Sequence, residues 1–298
     1  MMKSHRTLAT LFVAAASISS FVAAATLTPL VQPASQEHHV GKVVFVELVT
    51  PDLAVAKTFY GGLFGWTFRD VAIDGADYAE ASLNGQPVAG IVRRNTPSAQ
   101  LGQPAWLGFL SVEDVDAASK TAIQGGAKLL SAPHTVAGRG REAVLADPQG
   151  AVFAILASSH GDSPDLLAAS GEWIWSALTT SDPETDAAFY QTLFDYEVFD
   201  LPAAAGAQHL MFASGSFARA SANTMPEHRP KARPHWLSYV RVDDMDASIA
   251  KLGVLGGRVL VEPRVDRHGG RVAVVADPLG AAFGLLEWKA GDSIEVGE

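Results

Sequence analysis

Arg141–Leu156 reads REAVLADPQGAVFAIL and Arg271–Leu286 reads RVAVVADPLGAAFGLL, ten identical residues in sixteen at an offset of 130 positions. Outward from these two stretches the same offset carries Asp52 onto Asp182, Phe59-Tyr60 onto Phe189-Tyr190, Leu63-Phe64 onto Leu193-Phe194 and Trp106 onto Trp236. One offset held over so many anchors identifies a duplication, and a repeat of this length sets the architecture before any local reading does.

Each copy is divided again. Asp52 and Asp114 stand 62 residues apart, as do Asp182 and Asp244, and each follows an apolar run of strand length: Val43–Val49, Trp106–Val112, Trp173–Thr179 and Trp236–Val242. Thr50-Pro51-Asp52 supplies an N-cap hydroxyl, a proline for the first turn and an acid at the positive end of a helix. Ser181-Asp182-Pro183-Glu184 fits a capping box. Leu53, Ala56, Phe59, Tyr60 and Leu63 then recur at helical spacing. Gly125-Gly126 and Gly256-Gly257 stop the second helix of each copy. Short runs separated by turn residues such as Asn84-Gly85 and Asp147-Pro148-Gln149-Gly150 read as strands. The unit is therefore strand, helix and about three strands, four times over.

The expected fold is α+β, with one domain over residues 41–157 and a second over 172–289. Residues 158–171 (SSHGDSPDLLAASG) read as the linker, 290–298 as a tail, and 26–40 as a disordered lead-in. The lead-in carries His38-His39, for which a solvated tail outranks a metal contact.

Four βαβββ units in two pairs resemble the vicinal-oxygen-chelate superfamily of glyoxalases, bleomycin-resistance proteins and dioxygenases. The resemblance is carried by Glu47-Leu-Val-Thr-Pro-Asp52, by Phe59-Tyr60-Gly-Gly-Leu-Phe-Gly-Trp66, and by Ala-Asp-Pro-x-Gly-x-x-Phe at Ala146 and Ala276. It covers roughly residues 42–288, and the tandem arrangement is similar to the two-domain CFP-30B-like branch. It implies that each pair of units forms a U-shaped, eight-stranded mixed sheet with helices outside, and that the two halves pack as a pseudo-dimer within one monomer. The superfamily carries isomerases, dioxygenases, lyases and drug-binding proteins, so the fold alone names no reaction.

The resemblance also implies a divalent metal in each domain, held by His, Glu or Gln from the first and last strands of each unit. The first-strand positions correspond to Phe45, Leu107, Trp175 and Leu237, and the last-strand positions of the second units to Ala154 and Gly284. The strands 87–93 and 215–220 contain no carboxylate and no histidine. A transition metal needs several N or O donors converging at ~2 Å, and none of these residues offers one. No metal and no other cofactor is expected.

The first 25 residues read as a cleaved signal peptide: Lys3 and Arg6, an uncharged Leu8–Ala25, and the ending Val22-Ala23-Ala24-Ala25. An uncleaved anchor is the alternative. A periplasmic or secreted location agrees with the absence of cysteine. Loss of Lys3 and Arg6 takes the formal charge from −10 to −12, which argues against nucleic acid and, beyond export, against anionic membranes as partners. A small molecule is left as the expected partner.

Candidate site residues follow from period-two alternation. Glu47 shares a face with Phe45 and points into the first concavity, where Trp106 or Phe109 and Tyr78 would surround it. A buried carboxylate there would serve as a general base; pairing with Arg93 or Arg141 is the structural alternative. Ala177 stands at the equivalent position of the second domain. Trp173, Trp175, Trp236 and Tyr239 offer a ring-lined pocket for a flat molecule, against the alternative of plain core. Arg139, Arg141, Arg267, His268 and Arg271, beside glycine-rich hairpins, form a rim suited to an anion, or simply solvated loop tips. The leading expectation is metal-independent binding of an aromatic metabolite or antibiotic. A glyoxalase, lyase or oxygenase using Glu47 or an atypical metal site is the alternative.

Overall fold

The computed structural model describes residues 26–73, 75–94, 104–203, 206–226, 232–265 and 270–288. The expected signal segment, the tail 290–298, Arg267 and His268 lie outside them.

Four aspartates start the four helices. Asp52 accepts from the N–H groups of Ala54 and Val55 and opens α1 (Leu53–Phe64). Asp114, Asp182 and Asp244 do the same for α2 (Val115–Gln124), α3 (Pro183–Phe194) and α4 (Met245–Val254). The carboxylate satisfies N–H groups that the helix cannot pair internally. Asp52 is thus the cap, where the sequence suggested Thr50. Ser181 does not complete a capping box either: Asp182 caps, Pro183 takes the first helical position, and Ser181 Oγ donates to Gln149.

The first sheet contains β1 (Val43–Thr50), β2 (Thr67–Ile73), β3 (Ala76–Leu83), β4 (Gln86–Arg93), β5 (Ala105–Ser111), β6 (Lys128–Val136), β7 (Gly140–Ala146) and β8 (Val152–Ser158). Their order is β2-β3-β4-β1-β5-β8-β7-β6, with β1 parallel to β4 and antiparallel to β5. The second sheet repeats this with β9 (Trp173–Thr180), β10 (Glu197–Asp200), β11 (His209–Ser214), β12 (Phe217–Thr224), β13 (His235–Val242), β14 (Arg258–Val265), β15 (Arg271–Ala276) and β16 (Ala282–Glu287). The two are mixed eight-stranded sheets in tandem domains.

Alternation along β1 sends Val46 and Leu48 to the helix side and Phe45 and Glu47 to the other. The helix sides do not close within one domain. One core cluster joins Val46, Leu48, Phe59 and Tyr60 to Val240, Met245, Leu252 and Phe283 of the second domain. The other joins Leu110, Phe153 and Ala122 to Tyr190, Phe194 and Phe212. The helices thus lie outside each sheet but between the two domains. Two hydrogen-bonded chains cross that boundary. Trp106 Nε1 donates to Tyr60 Oη (2.9 Å), which donates to Asp277 (3.2 Å); Trp236 Nε1 donates to Tyr190 Oη (2.9 Å), which donates to Asp147 (2.9 Å). The repeated Phe-Tyr and Asp-Pro motifs are therefore partners across the domain boundary.

Residues 26–40 are not a free lead-in. Leu27 is buried, its N–H donates to Ala137 O, and Thr28 N–H donates to the buried Glu80 carboxylate. His39 N–H donates to Asp162, and the linker's Asp165 pairs with Lys42 and Arg219. Hydrogen bonds and apolar contact hold this segment without regular secondary structure, so no periodicity announced it. No helix among the described residues is long and apolar enough to cross a membrane.

Candidate functional site

In the first domain, Glu47 sits opposite Gly90 on β4 and Leu107 on β5, facing away from the helices. Tyr78 comes from β3, two residues from the rung shared by Glu80 and Gly90, and reaches over Gly90. A Cβ on Gly90 would lie 1.9 Å from Tyr78 Oη and 3.0 Å from Phe45 Cζ. Only glycine leaves the room in which that hydroxyl approaches Glu47.

The other wall comes from the β6–β7 turn. Gly138 (φ +82°) and Gly140 (φ +138°) flank Arg139, and a side chain at either would strike the backbone oxygen of Leu27 or Ala157. These glycines let the turn fold inward and carry Arg139 with it. Arg139 is 1% exposed, and its guanidinium lies 4.0 Å over the Phe45 ring. Among the described residues none of its three nitrogens has a hydrogen-bond partner. Glu142 of β7 and His134 of β6 stand opposite each other, His134 Nε2 lying 3.5 Å from Glu142 Oε1. Together with Leu27, Val92 and Arg94 these residues enclose a cavity of about 130 Å³.

The electrostatics follow from this enclosure. Glu47 touches the cavity, yet protein surrounds it, and desolvation lifts its pKa to about 7. Glu142 adds to the rise by repulsion, while Arg139, the Tyr78 hydroxyl and Arg94 oppose it. Glu142 is also lifted to about 7 by burial, against the pull of Arg139. Burial pushes Tyr78 well above the usual phenol range, so it stays protonated. A carboxyl group near 7 takes or gives a proton at neutral pH.

The superfamily's metal does not fit here. Phe45, Leu107 and Ala154, the positions that would have to supply donors, form a hydrocarbon cluster with Phe109 and Leu156. Among the described residues no three His, Asp or Glu side chains converge as a metal would require.

The residues expected at the site divide by face. Phe45, Glu47, Tyr78 and Phe109 are on the concave side, Phe45 and Phe109 with ring centroids 5.5 Å apart. Trp106 is on the helix side, spent on Tyr60. The four rings of the second domain do not meet in one pocket. Trp236 donates to Tyr190, and Trp173 packs against Trp106 (4.8 Å) with its Nε1 donating to Val88 O. Trp175 and Tyr239 remain on the concave side, directly opposite each other. Trp175 Nε1 donates to Ser221 (3.2 Å), and the Tyr239 ring lies over Gly284, where a Cβ would meet it at 2.0 Å. Arg141 and Arg271 are half-exposed and fork onto Asp116 and Asp246, Arg271 also lying 3.6 Å from Glu287. They form no shared rim. Glu47 pairs with neither Arg93, which binds Asp77, nor Arg141.

Sequence reasoning placed Arg139 on the rim and passed over Glu142, His134 and Leu27. The duplication held the missing signal. At the 130-residue offset Arg139 becomes Gly269 and Glu142 becomes Val272, as Glu47 becomes Ala177. The arginine and the two carboxyl groups at these three positions are thus particular to the first copy.

Comparison with known proteins agrees with this architecture. Residues 36–155 match the Glyoxalase/Bleomycin resistance protein/Dioxygenase superfamily and residues 175–286 a Glyoxalase-like domain. The chain is 32% identical to a putative glyoxylase, CFP32, of Mycobacterium bovis, over 86% of this chain and 98% of the relative. It is 33% identical to the anthracycline biosynthesis protein DauV of Streptomyces sp. strain C5, over 84% and 94%. Among solved structures, the Mn(II)-bound glyoxalase from Novosphingobium aromaticivorans shares the fold with a TM-score of 0.60 at 17% identity, covering 85% of this chain and 84% of that one. Repeat, sheet order and full-length relatives converge, and the chain belongs to the glyoxalase/bleomycin resistance protein/dioxygenase superfamily.

Proposed function

We propose that this is an exported protein that binds a small molecule without a metal, and that the concavity of the first domain is its working site. One observation carries the reading: the cavity combines a fully buried arginine and two carboxyl groups poised near neutrality with hydrocarbon at every expected metal position. Relatives named for anthracycline biosynthesis are in keeping with an aromatic ligand. A cavity of ~150 Å³ accepts benzene, so about 130 Å³ has room for one ring or its equivalent, the rest of a larger ligand lying in the open mouth. The lysine- and arginine-led apolar leader supports export. Native mass spectrometry with elemental analysis of protein purified from its own host tests the reading. An organic adduct, a transition-metal content far below one per chain and an N-terminus at Thr26 are expected. Stoichiometric metal without an adduct overturns it.

A second reading is catalytic. Glu47 and Glu142 at about 7 have the strength of general acid–base groups, and the mycobacterial relatives are named putative glyoxylases. If turnover is found, Glu47→Gln lowers kcat about 100-fold or more; full activity in that variant removes Glu47 from the chemistry.

A further inference from the structure

We propose that the first domain's concavity is a receptor for a small organic monocarboxylate, whose carboxylate is gripped by the Arg139 guanidinium above Phe45. This rests on the reading that the concavity is the working site and names the chemistry of its occupant.

The unspent donors are the main ground. A guanidinium carries five N–H groups, and Arg139 uses none of them within the described residues although it is almost fully buried. A buried guanidinium without a hydrogen bond is costly; stacking on Phe45 and the more distant pull of Glu47 and Glu142 recover part of that cost. The groups facing it across the cavity are Glu47 from β1, Tyr78 from β3, Arg94 after β4, His134 from β6 and Glu142 from β7. None makes an ion pair with Arg139. Glu80 on the same face of β3 is occupied by Thr28 and Arg69. A planar carboxylate matches the guanidinium fork, and the remaining walls (Phe45, Leu27, Val92, Val136) suit a ring or short alkyl body.

The same geometry predicts proton uptake on binding. An incoming anion adds negative charge beside Glu47 and Glu142, favouring their protonated forms, which donate to the ligand instead of repelling it. Affinity therefore falls as pH rises above 7, by up to about tenfold per pH unit for each proton taken up. A phosphate dianion would meet the same two carboxylates with twice the charge.

Isothermal titration of the full chain with benzoate and pyruvate, against benzamide and benzyl alcohol, tests this at pH 6.5 and 8.5. Benzoate or pyruvate is expected to bind about tenfold or more tighter than the uncharged compounds. Arg139→Met should abolish that preference, and the binding enthalpy should rise with the ionisation enthalpy of the buffer. The pH series on the unaltered protein decides the matter even if Arg139→Met fails to fold. Uncharged compounds binding as tightly as benzoate, or affinity independent of pH, overturn the carboxylate assignment while leaving a small-molecule site. No binding by any of the four overturns both.

Discussion

The two concave sheets share one strand order and differ in almost everything that faces the hollow. On the rung where the first domain has Glu47 opposite Gly90, the second has Ala177 opposite Ser221. Tyr78, beyond Gly90, is matched in register by His209. The His134–Glu142 pair becomes Arg264 opposite Val272. Phe45 becomes Trp175, whose ring nitrogen is spent on Ser221. The first hollow carries two carboxyl groups and a buried arginine, whereas the second carries an indole and a phenol ring on the matching rungs. Duplication supplied two scaffolds. On the proposed reading, charge makes one of them the site and ring packing makes the other its support.

Moving the charge breaks the comparison hardest. Ala177→Glu places a carboxyl group in the second hollow at a position only 7% exposed. We expect a loss of about 3 kcal/mol at pH 8, since a buried charge lacks a prepared partner there. Urea denaturation measures it; a change near zero would mean that the second hollow tolerates charge as the first does.

The reverse change sharpens it. Glu47 has a folded-state pKa of about 7, above the ordinary 4.5. Its stabilising contribution is therefore fully present below pH 4.5 and is lost as pH rises through 7. Glu47→Gln should raise stability at pH 8 by up to about 3 kcal/mol and leave it unchanged near pH 4.5. A gain that grows toward acid would reverse the sign of the argument.

The two inward glycines provide a matched pair. Gly90→Ala drives a methyl into Tyr78 Oη, and Gly284→Ala drives one into the Tyr239 ring. Each should cost about 2 kcal/mol. Only Gly90→Ala should also weaken ligand binding, which parallel denaturation and titration would separate. Arg141→Ala anchors the small end: its guanidinium pairs with the exposed Asp116, and the denaturation midpoint should not move resolvably.

Most of the scaffold was legible in the sequence because its signals are repeated. The Asp caps, the alternation around Glu47 and the Asp-Pro turns each occur twice or more, and each acts through local physics. The site was legible only where one strand sufficed. Period two put Phe45 and Glu47 on one face and separates Trp106 from Phe109, but it does not say which face another domain will cover. Trp236 therefore read as a pocket wall although its helix side packs against the other half, and Trp173 did so because the register shift that turns it away from Trp175 has no signal in the sequence. Arg139 was misplaced for a different reason. Glycines on both sides usually signal a solvated tip, and here they admit the close passage of Leu27 and Ala157. The ordering of residues 26–40 is likewise a tertiary effect with no period to announce it.

The most direct test of the division between the hollows is a crystal structure, with anomalous data, of protein taken from its own host without chelators. The account predicts organic density against Arg139 and Phe45 in the first hollow, and no metal peak on the inner strands. A metal peak in either hollow, or a ligand seated between Trp175 and Tyr239 with the first hollow empty, would contradict it.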